Sequence, residues 1–207
     1  MKDCLFCQID KIKPDILWES KNFFIKVGVG ILAPGHVMII PKQHITCFGA
    51  LPRQLIEEFM LIKKKVFDTI KSNFSEPIIF EHGVYGQTVN HAHLHFIPTK
   101  NEYYNLENIK EKLFKSVKST RIEELSQLID IFKEEGSYIY LEEKDKKWVY
   151  HTKDEPERRF FFRKEFAKLT GLQGLKDWQS MPEEEKQRDR EWVKKTKDIL
   201  TPYMPEN

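Results

Sequence analysis

His91-Ala92-His93-Leu94-His95-Phe96-Ile97-Pro98 sets three histidines two residues apart among apolar neighbours. Side chains alternate across a strand with period two, so the run reads as a strand. Positions 91, 93 and 95 share one face, and Ala92, Leu94 and Phe96 turn the other way into a core. Three imidazoles on one surface are chemically versatile, because histidine titrates near neutrality and serves as nucleophile, proton carrier or metal ligand. The plainer alternative is an exposed or metal-loving histidine run. What lies upstream argues against it.

Ala33-Pro34-Gly35-His36-Val37-Met38-Ile39-Ile40-Pro41-Lys42-Gln43-His44-Ile45 and Gly86-Gln87-Thr88-Val89-Asn90 precede the histidine run in that order. Together these segments resemble the histidine triad superfamily of nucleotidyl hydrolases and transferases. Its signature is three alternating histidines preceded by a Gly-His-apolar-Pro-Lys-x-His segment. The likeness covers residues 4–98.

That resemblance implies roles. The middle histidine, His93, would be the nucleophile at an α-phosphate, with its second ring nitrogen held by the backbone carbonyl of His91. His95 would donate to phosphate oxygens, and Gln87 and Thr88 match the pair that approaches the bridging oxygen and leaving group. Plainer roles are a turn cap for Gln87 and simple strand preference for Thr88. His36 would be structural, hydrogen-bonded beneath the site, and Lys42 either a phosphate contact or a solvated lysine.

Cys4 and Cys7 form a lone C-x-x-C, which by itself reads as redox-active, metal-binding or two small buried residues. A tetrahedral structural zinc needs two more ligands. In family members with this N-terminal pair the resemblance supplies them, here as His44 and His91. Cys47 reads as a core residue. Three cysteines without a secretion signal argue against a disulfide framework.

The sequence also departs from the family pattern. Gly28 stands where many members carry the Asp that binds ribose hydroxyls. Glu81-His82 stands where an Asn near the phosphates is expected. A loop charge at Glu81 would ordinarily be solvated. The usual nucleoside grip is therefore in question, and the substrate need not be a standard purine nucleotide.

The 207 residues carry 34 basic and 32 acidic side chains, a net charge of +2, so no global field points to nucleic acid or membrane. No apolar run approaches a membrane span and Met1-Lys2-Asp3-Cys4 lacks the core of a signal peptide. A cytoplasmic location follows, or a nuclear one in a eukaryote.

Short apolar runs predict strands at 23–27, at 37–40 and from Pro77 onward, and periodicity predicts an amphipathic helix over 52–72. The fold class is α+β, an antiparallel sheet with a long covering helix. A first domain over 1–105 would be followed by a helical and hairpin region over 106–207 packed on it. Helices are expected at 106–114, 121–135, 159–169 (ending at Gly171) and 182–200. Two aromatic runs, 137–141 and 147–151, should pair as a hairpin across Lys144-Asp145-Lys146. With Arg159-Phe160-Phe161-Phe162-Arg163-Lys164-Glu165 and Asp177-Trp178-Gln179, this region looks like the C-terminal part of CwfJ-like proteins, histidine triad relatives linked to splicing and RNA lariat turnover.

The expected activity is hydrolysis at the α-phosphate of a dinucleoside polyphosphate, nucleoside phosphoramidate or adenylylated adduct. A nucleotidyl transferase and a non-enzymatic RNA-binding module are the alternatives. The basic and aromatic side chains at 158–164 would serve the latter by phosphate contact and stacking. The resemblance also implies a homodimer through the helix at 52–72, a surface the C-terminal half could instead cover.

Overall fold

In the computed structural model, residues 4–28, 30–99, 117–155 and 181–203 are described. The first strands are β1 (Ile16–Glu19), β2 (Phe23–Val27) and β3 (Val37–Pro41), preceded by a short helix α1 (Ile9–Ile12). A long helix α2 (Ile56–Asn73) leads to β4 (Pro77–Glu81) and β5 (Leu94–Pro98). Beyond the histidines come β6 (Ser119–Ile122), α3 (Gln127–Glu135), β7 (Tyr138–Glu143), β8 (Lys146–His151) and α4 (Glu183–Leu200). The eight strands form one sheet ordered β1-β2-β3-β5-β4-β7-β8-β6, and adjacent strands run antiparallel.

Both faces of the central strands are covered, and the sequence alternation decides what meets each face. Phe23, Ile25, Val37, Ile39, Leu94 and Phe96 turn to one side, where they join Phe59, Ile62, Val66 and Ile70 of α2 in the main core. Phe24, Met38 and Ile40 turn to the other and pack with Phe6 and Ile12 from the N-terminal segment. Burial of each such side chain contributes roughly 1.5–3 kcal/mol.

Several boundaries differ from the sequence expectation. The chain from Pro52 opens as a short 3-10 turn, Arg53–Leu55, and α2 starts only at Ile56. The expected helix over 121–135 is confined to Gln127–Glu135, because residues 119–122 pair with β8 instead. Ile122 and Leu125 still reach the main core. Gly136, at φ +76°, closes α3 in the left-handed conformation that glycine adopts without strain. The expected helices at 106–114 and 159–169 lie outside the described residues, as do the aromatic and charged landmarks from 159 to 179.

The aromatic hairpin forms as expected from β7 and β8, and it does more than pack on the first half. β7 pairs directly with β4, Phe80 opposite Leu141 and Glu81 opposite Tyr140, so the hairpin prolongs the sheet. Lys63 of α2 meets Glu142 of β7 at 2.7 Å, both buried, and ties the helix to the extension. Gly83 permits the close approach at the junction, since a Cβ there would lie 2.4 Å from the Tyr138 ring.

α4 is expected at the surface, and its charged residues largely are exposed, but Asp189, Thr196 and Leu200 are buried. Asp189 accepts hydrogen bonds from the backbone N–H groups of Gly30 and Ile31 at 2.9 and 2.7 Å. Thr196 Oγ1 accepts one from Gly35 at 2.8 Å. The helix thus braces the loop between β2 and β3. Among the described residues no helix is long and apolar enough to cross a membrane.

Candidate active site and metal centre

β5 begins at Leu94, so only His95 of the three histidines stands in a regular strand. The extended geometry expected for the whole run is broken upstream, where the His91 amide bonds Val89 and the Ala92 amide bonds Ile45. The consequence is a split. His93 and His95 line a cavity of about 280 Å³, while His91 faces the cysteines.

Each ring has its tautomer fixed by a partner. His93 Nδ1 donates to its neighbour's backbone, the His91 carbonyl, at 2.6 Å, which leaves the Nε2 lone pair for the cavity. Complete burial pushes this imidazole down to about 4, so it is neutral at physiological pH. His36 Nδ1 accepts the Leu32 N–H at 3.0 Å; a neutral His36 must then carry its proton on Nε2. That Nε2–H points at His95 Nδ1, 3.0 Å away. His95 therefore accepts on Nδ1 and carries Nε2–H. Phe80 stacks flat on the His95 ring at 4.2 Å and holds its plane.

The lining falls into three chemical groups: His93, His95, Thr88 and His82; the apolar Leu5, Phe6, Ile12, Leu32, Met38 and Val89; and Lys11, Asp15, Lys26 and Gly28. Lys26 stands at the far end from His95, two strands away with Met38 between them. Of the last group the sequence singled out only Gly28; Lys11, Asp15 and Lys26 were missed. A lysine inside the otherwise apolar run Phe23–Val27 was the available signal, since a strand buried on both faces has no solvated side for it.

Other candidates fall elsewhere. Gln87 Nε2 donates to the Thr46 carbonyl at 2.9 Å, a loop contact outside the cavity lining among the described residues. Lys42 pairs with Glu19 at 2.5 Å, also outside that lining. Glu81 is not solvated. It is fully buried, taking hydrogen bonds from the Phe48 amide at 2.7 Å and the Tyr138 hydroxyl at 2.6 Å, while its neighbour His82 enters the cavity.

Cys4, Cys7, His44 and His91 bring their ligand atoms within 4.8 Å of one another and could hold a metal ion. His91 Nε2 donates to the Pro41 carbonyl at 2.8 Å, so its Nδ1 lone pair faces the sulfurs. Nδ1 lies 3.4 Å from Cys4 Sγ and 3.6 Å from Cys7 Sγ, and His44 Nδ1 lies 3.3 Å from Cys7 Sγ. Tetrahedral bonds of about 2.3 Å to sulfur and 2.0 Å to nitrogen give ligand separations of about 3.5 Å, so the donor set fits zinc. Phe6, between the two cysteines, packs edge-on against both His91 and His93, at 5.8 and 5.4 Å between ring centres. The metal loop is thereby also a wall of the cavity. Cys47 is buried in the main core and its thiol is pushed up to about 12, chiefly by burial.

The family to which this chain belongs is identified by its likeness to known proteins. The model of the HIT domain matches residues 10–102. The adenosine 5'-monophosphoramidase HNT1 of Candida albicans is 30% identical over 111 residues, 48% of this chain and 72% of that protein. The adenosine 5'-monophosphoramidase HNT1 of Saccharomyces cerevisiae is 30% identical over 103 residues, 48% of this chain and 64% of that protein. The bis(5'-adenosyl)-triphosphatase of Dictyostelium discoideum is 26% identical over 129 residues, 58% of this chain and 87% of its own. A HIT family protein of Bacillus anthracis of solved structure is 28% identical, covering 56% of this chain and 98% of that one with a TM-score of 0.43. The chain belongs to the HIT domain family.

Proposed function

We propose that the protein is a nucleotidyl hydrolase that cleaves at the α-phosphate of a nucleotide conjugate through a His93 adduct. The observation that carries this reading is the His93 ring, neutral by burial and held through Nδ1 so that Nε2 faces the cavity. Nε2 attacks phosphorus, a P–N bond forms, and the bond to the leaving group breaks. The leaving group departs with the electron pair and takes a proton from solvent. The ring now carries phosphorus on Nε2 and a proton on Nδ1, a positive charge that the His91 carbonyl stabilises. Nε2–H of His95 donates to a non-bridging oxygen and offsets charge as it develops. Water then attacks phosphorus and releases a proton to solvent, the P–N bond breaks with its electron pair returning to Nε2, and His93, still protonated on Nδ1, is neutral again. The named activities of the relatives, on adenosine phosphoramidates and on a diadenosine triphosphate, agree with this substrate class.

The Cys2His2 group is read as a structural zinc site, since four protein ligands leave no open position for substrate or water. Bound there, the metal would fix Leu5 and Phe6 against the cavity.

Intact-protein mass after brief incubation with diadenosine polyphosphates and adenosine phosphoramidates tests the reading. A nucleotidyl adduct is expected, accumulating in His95→Ala and absent from His93→Ala, with matching nucleotide release. No adduct and no turnover with any compound would overturn it.

A further inference from the structure

The cavity's far end contains a buried cation that the reaction at His93 does not use. Cross-strand pairing sets Lys26 opposite Met38 and Met38 opposite His95, with Phe80 on the far side of His95. Directly paired residues share a sheet face, so Lys26 and His95 stand in one row, two strands and about 10 Å apart. Met38 lies between them on the cavity wall.

A lysine here is costly. Its side chain is 4% exposed, its ammonium is desolvated, and an apolar residue such as the neighbouring Met38 would suit the strand. An ammonium has three donors. One goes to the Val27 carbonyl at 2.6 Å and one to Asp15 Oδ2 at 3.3 Å, which leaves a third for whatever fills the cavity.

Asp15 does not neutralise this end. Its other oxygen accepts from Lys197 of α4 at 2.8 Å, so one carboxylate serves two ammonium groups. Lys11 adds a further positive charge at the rim. Asp189 acts on Lys26 at longer range, but its oxygens are committed to the Gly30 and Ile31 amides. Three lysines against two aspartates leave the region positive. Gly28 adds no side chain to this part of the lining, and a Cβ there would only just touch Ile31 and Met38, at 3.5 Å.

Resting on the hydrolase reading above, we propose that Lys26 selects nucleotides carrying a second phosphate on the ribose. With the α-phosphate at His93, the sugar is the next part of the substrate along the cavity. A nucleobase edge offers neutral acceptors for which an uncharged donor would suffice, whereas a phosphate matches a desolvated ammonium. Among the described residues, the carboxylate lining this end is Asp15, and both its oxygens already accept from ammonium groups, Lys26 and Lys197.

Titration calorimetry on the full chain, with AMP, adenosine 2',5'-bisphosphate and adenosine 3',5'-bisphosphate, tests the assignment. One bisphosphate is expected to bind at least about tenfold more tightly than AMP, the size of one charge-assisted hydrogen bond. In Lys26→Met the ratio should collapse toward one. Lys11→Gln, at an exposed position, should lower it in part and keeps the test valid if Lys26→Met fails to fold. Equal affinities in the wild type, or a preference that survives both substitutions, would overturn the proposal. Adenosine 5'-monophosphoramidate, run in parallel, separates the two readings. Turnover without bisphosphate preference removes the selectivity alone; no nucleotide binding and no turnover removes both.

Discussion

His36 donates from Nε2 to Nδ1 of His95 across 3.0 Å, and the Leu32 amide fixes His36 from behind. The proton that His95 shows to the cavity is therefore set by a backbone amide two residues removed in the chain of bonds. In the proposed reaction His36 is a positioning residue, acting through His95.

Replacing His36 by Phe keeps the ring and its bulk but deletes both links. Turnover of an adenosine phosphoramidate should fall about tenfold to a hundredfold, with KM nearly constant, since a positioned donor contributes about 10²–10⁴ in rate and only its orientation is lost. Imidazole nitrogen chemical shifts should report a single His95 tautomer in the wild type and a mixture in His36→Phe. Unchanged turnover and an unchanged tautomer would show that the link is idle.

Removal of the metal tests the second cluster. Protein purified without chelator should carry about one equivalent of zinc, and Cys7→Ser much less. If zinc is held at a hundredfold excess over its dissociation constant, it stabilises the fold by about 2.7 kcal/mol, which chelation should abolish as a drop in Tm. The ring contacts of Phe6 with His91 and His93 predict that aromatic proton shifts of the cavity wall move on chelation as well. A zinc-free protein with a chelator-insensitive Tm would leave Cys4 and Cys7 as small packed side chains.

What the sequence made legible follows from the range of the interactions involved. The short apolar runs Phe23 to Val27 and Val37 to Ile40 announce strands buried on both faces because local composition and length suffice to mark them. The Cys-x-x-C and the three histidines were readable as a constellation through the family likeness, although His91 turns away from His93 in a way strict strand alternation does not foresee. Arg121 and Ile122 were read as helix because the pairing of 119–122 with β8 is a tertiary choice that local periodicity does not record. Asp189 was invisible for the same reason. In a helix crowded with charges, nothing marks the one carboxylate that reaches two amides nearly 160 positions earlier.

Asp189→Ala should accordingly cost far more than its setting in a charged helix suggests. The substitution leaves the buried Gly30 and Ile31 N–H groups without an acceptor, a loss of about 3 kcal/mol. Asp198→Ala, on the same helix but in an exposed pair with Lys194, should change stability by less than about 0.5 kcal/mol. Urea denaturation of the two variants measures the contrast directly. Similar values would mean that α4 does not brace the loop that borders the cavity.

Glu81 gives the fold a pH dependence of unusual sign. Burial pushes its carboxyl up to about 7 from an ordinary 4.5, against the opposing hydrogen bonds from Tyr138 and Phe48. The folded chain then holds a proton that the unfolded chain has already released between those two values. The group's contribution is full below about 4.5 and is lost as pH rises through about 7, on the order of 3 kcal/mol in all. Asp15 and Glu58, held below the usual carboxylate range by their partners, work the other way, losing their contribution as pH falls. The total curve therefore hides the effect, and a difference curve reveals it. Glu81→Gln keeps an acceptor for the Phe48 amide but cannot titrate. The stability of the wild type minus that of Glu81→Gln should decline steadily from pH 4.5 to 7.5, because every other group cancels. A difference that stays level across that range would mean that the carboxylate is ionised throughout and that its two donors outweigh its burial.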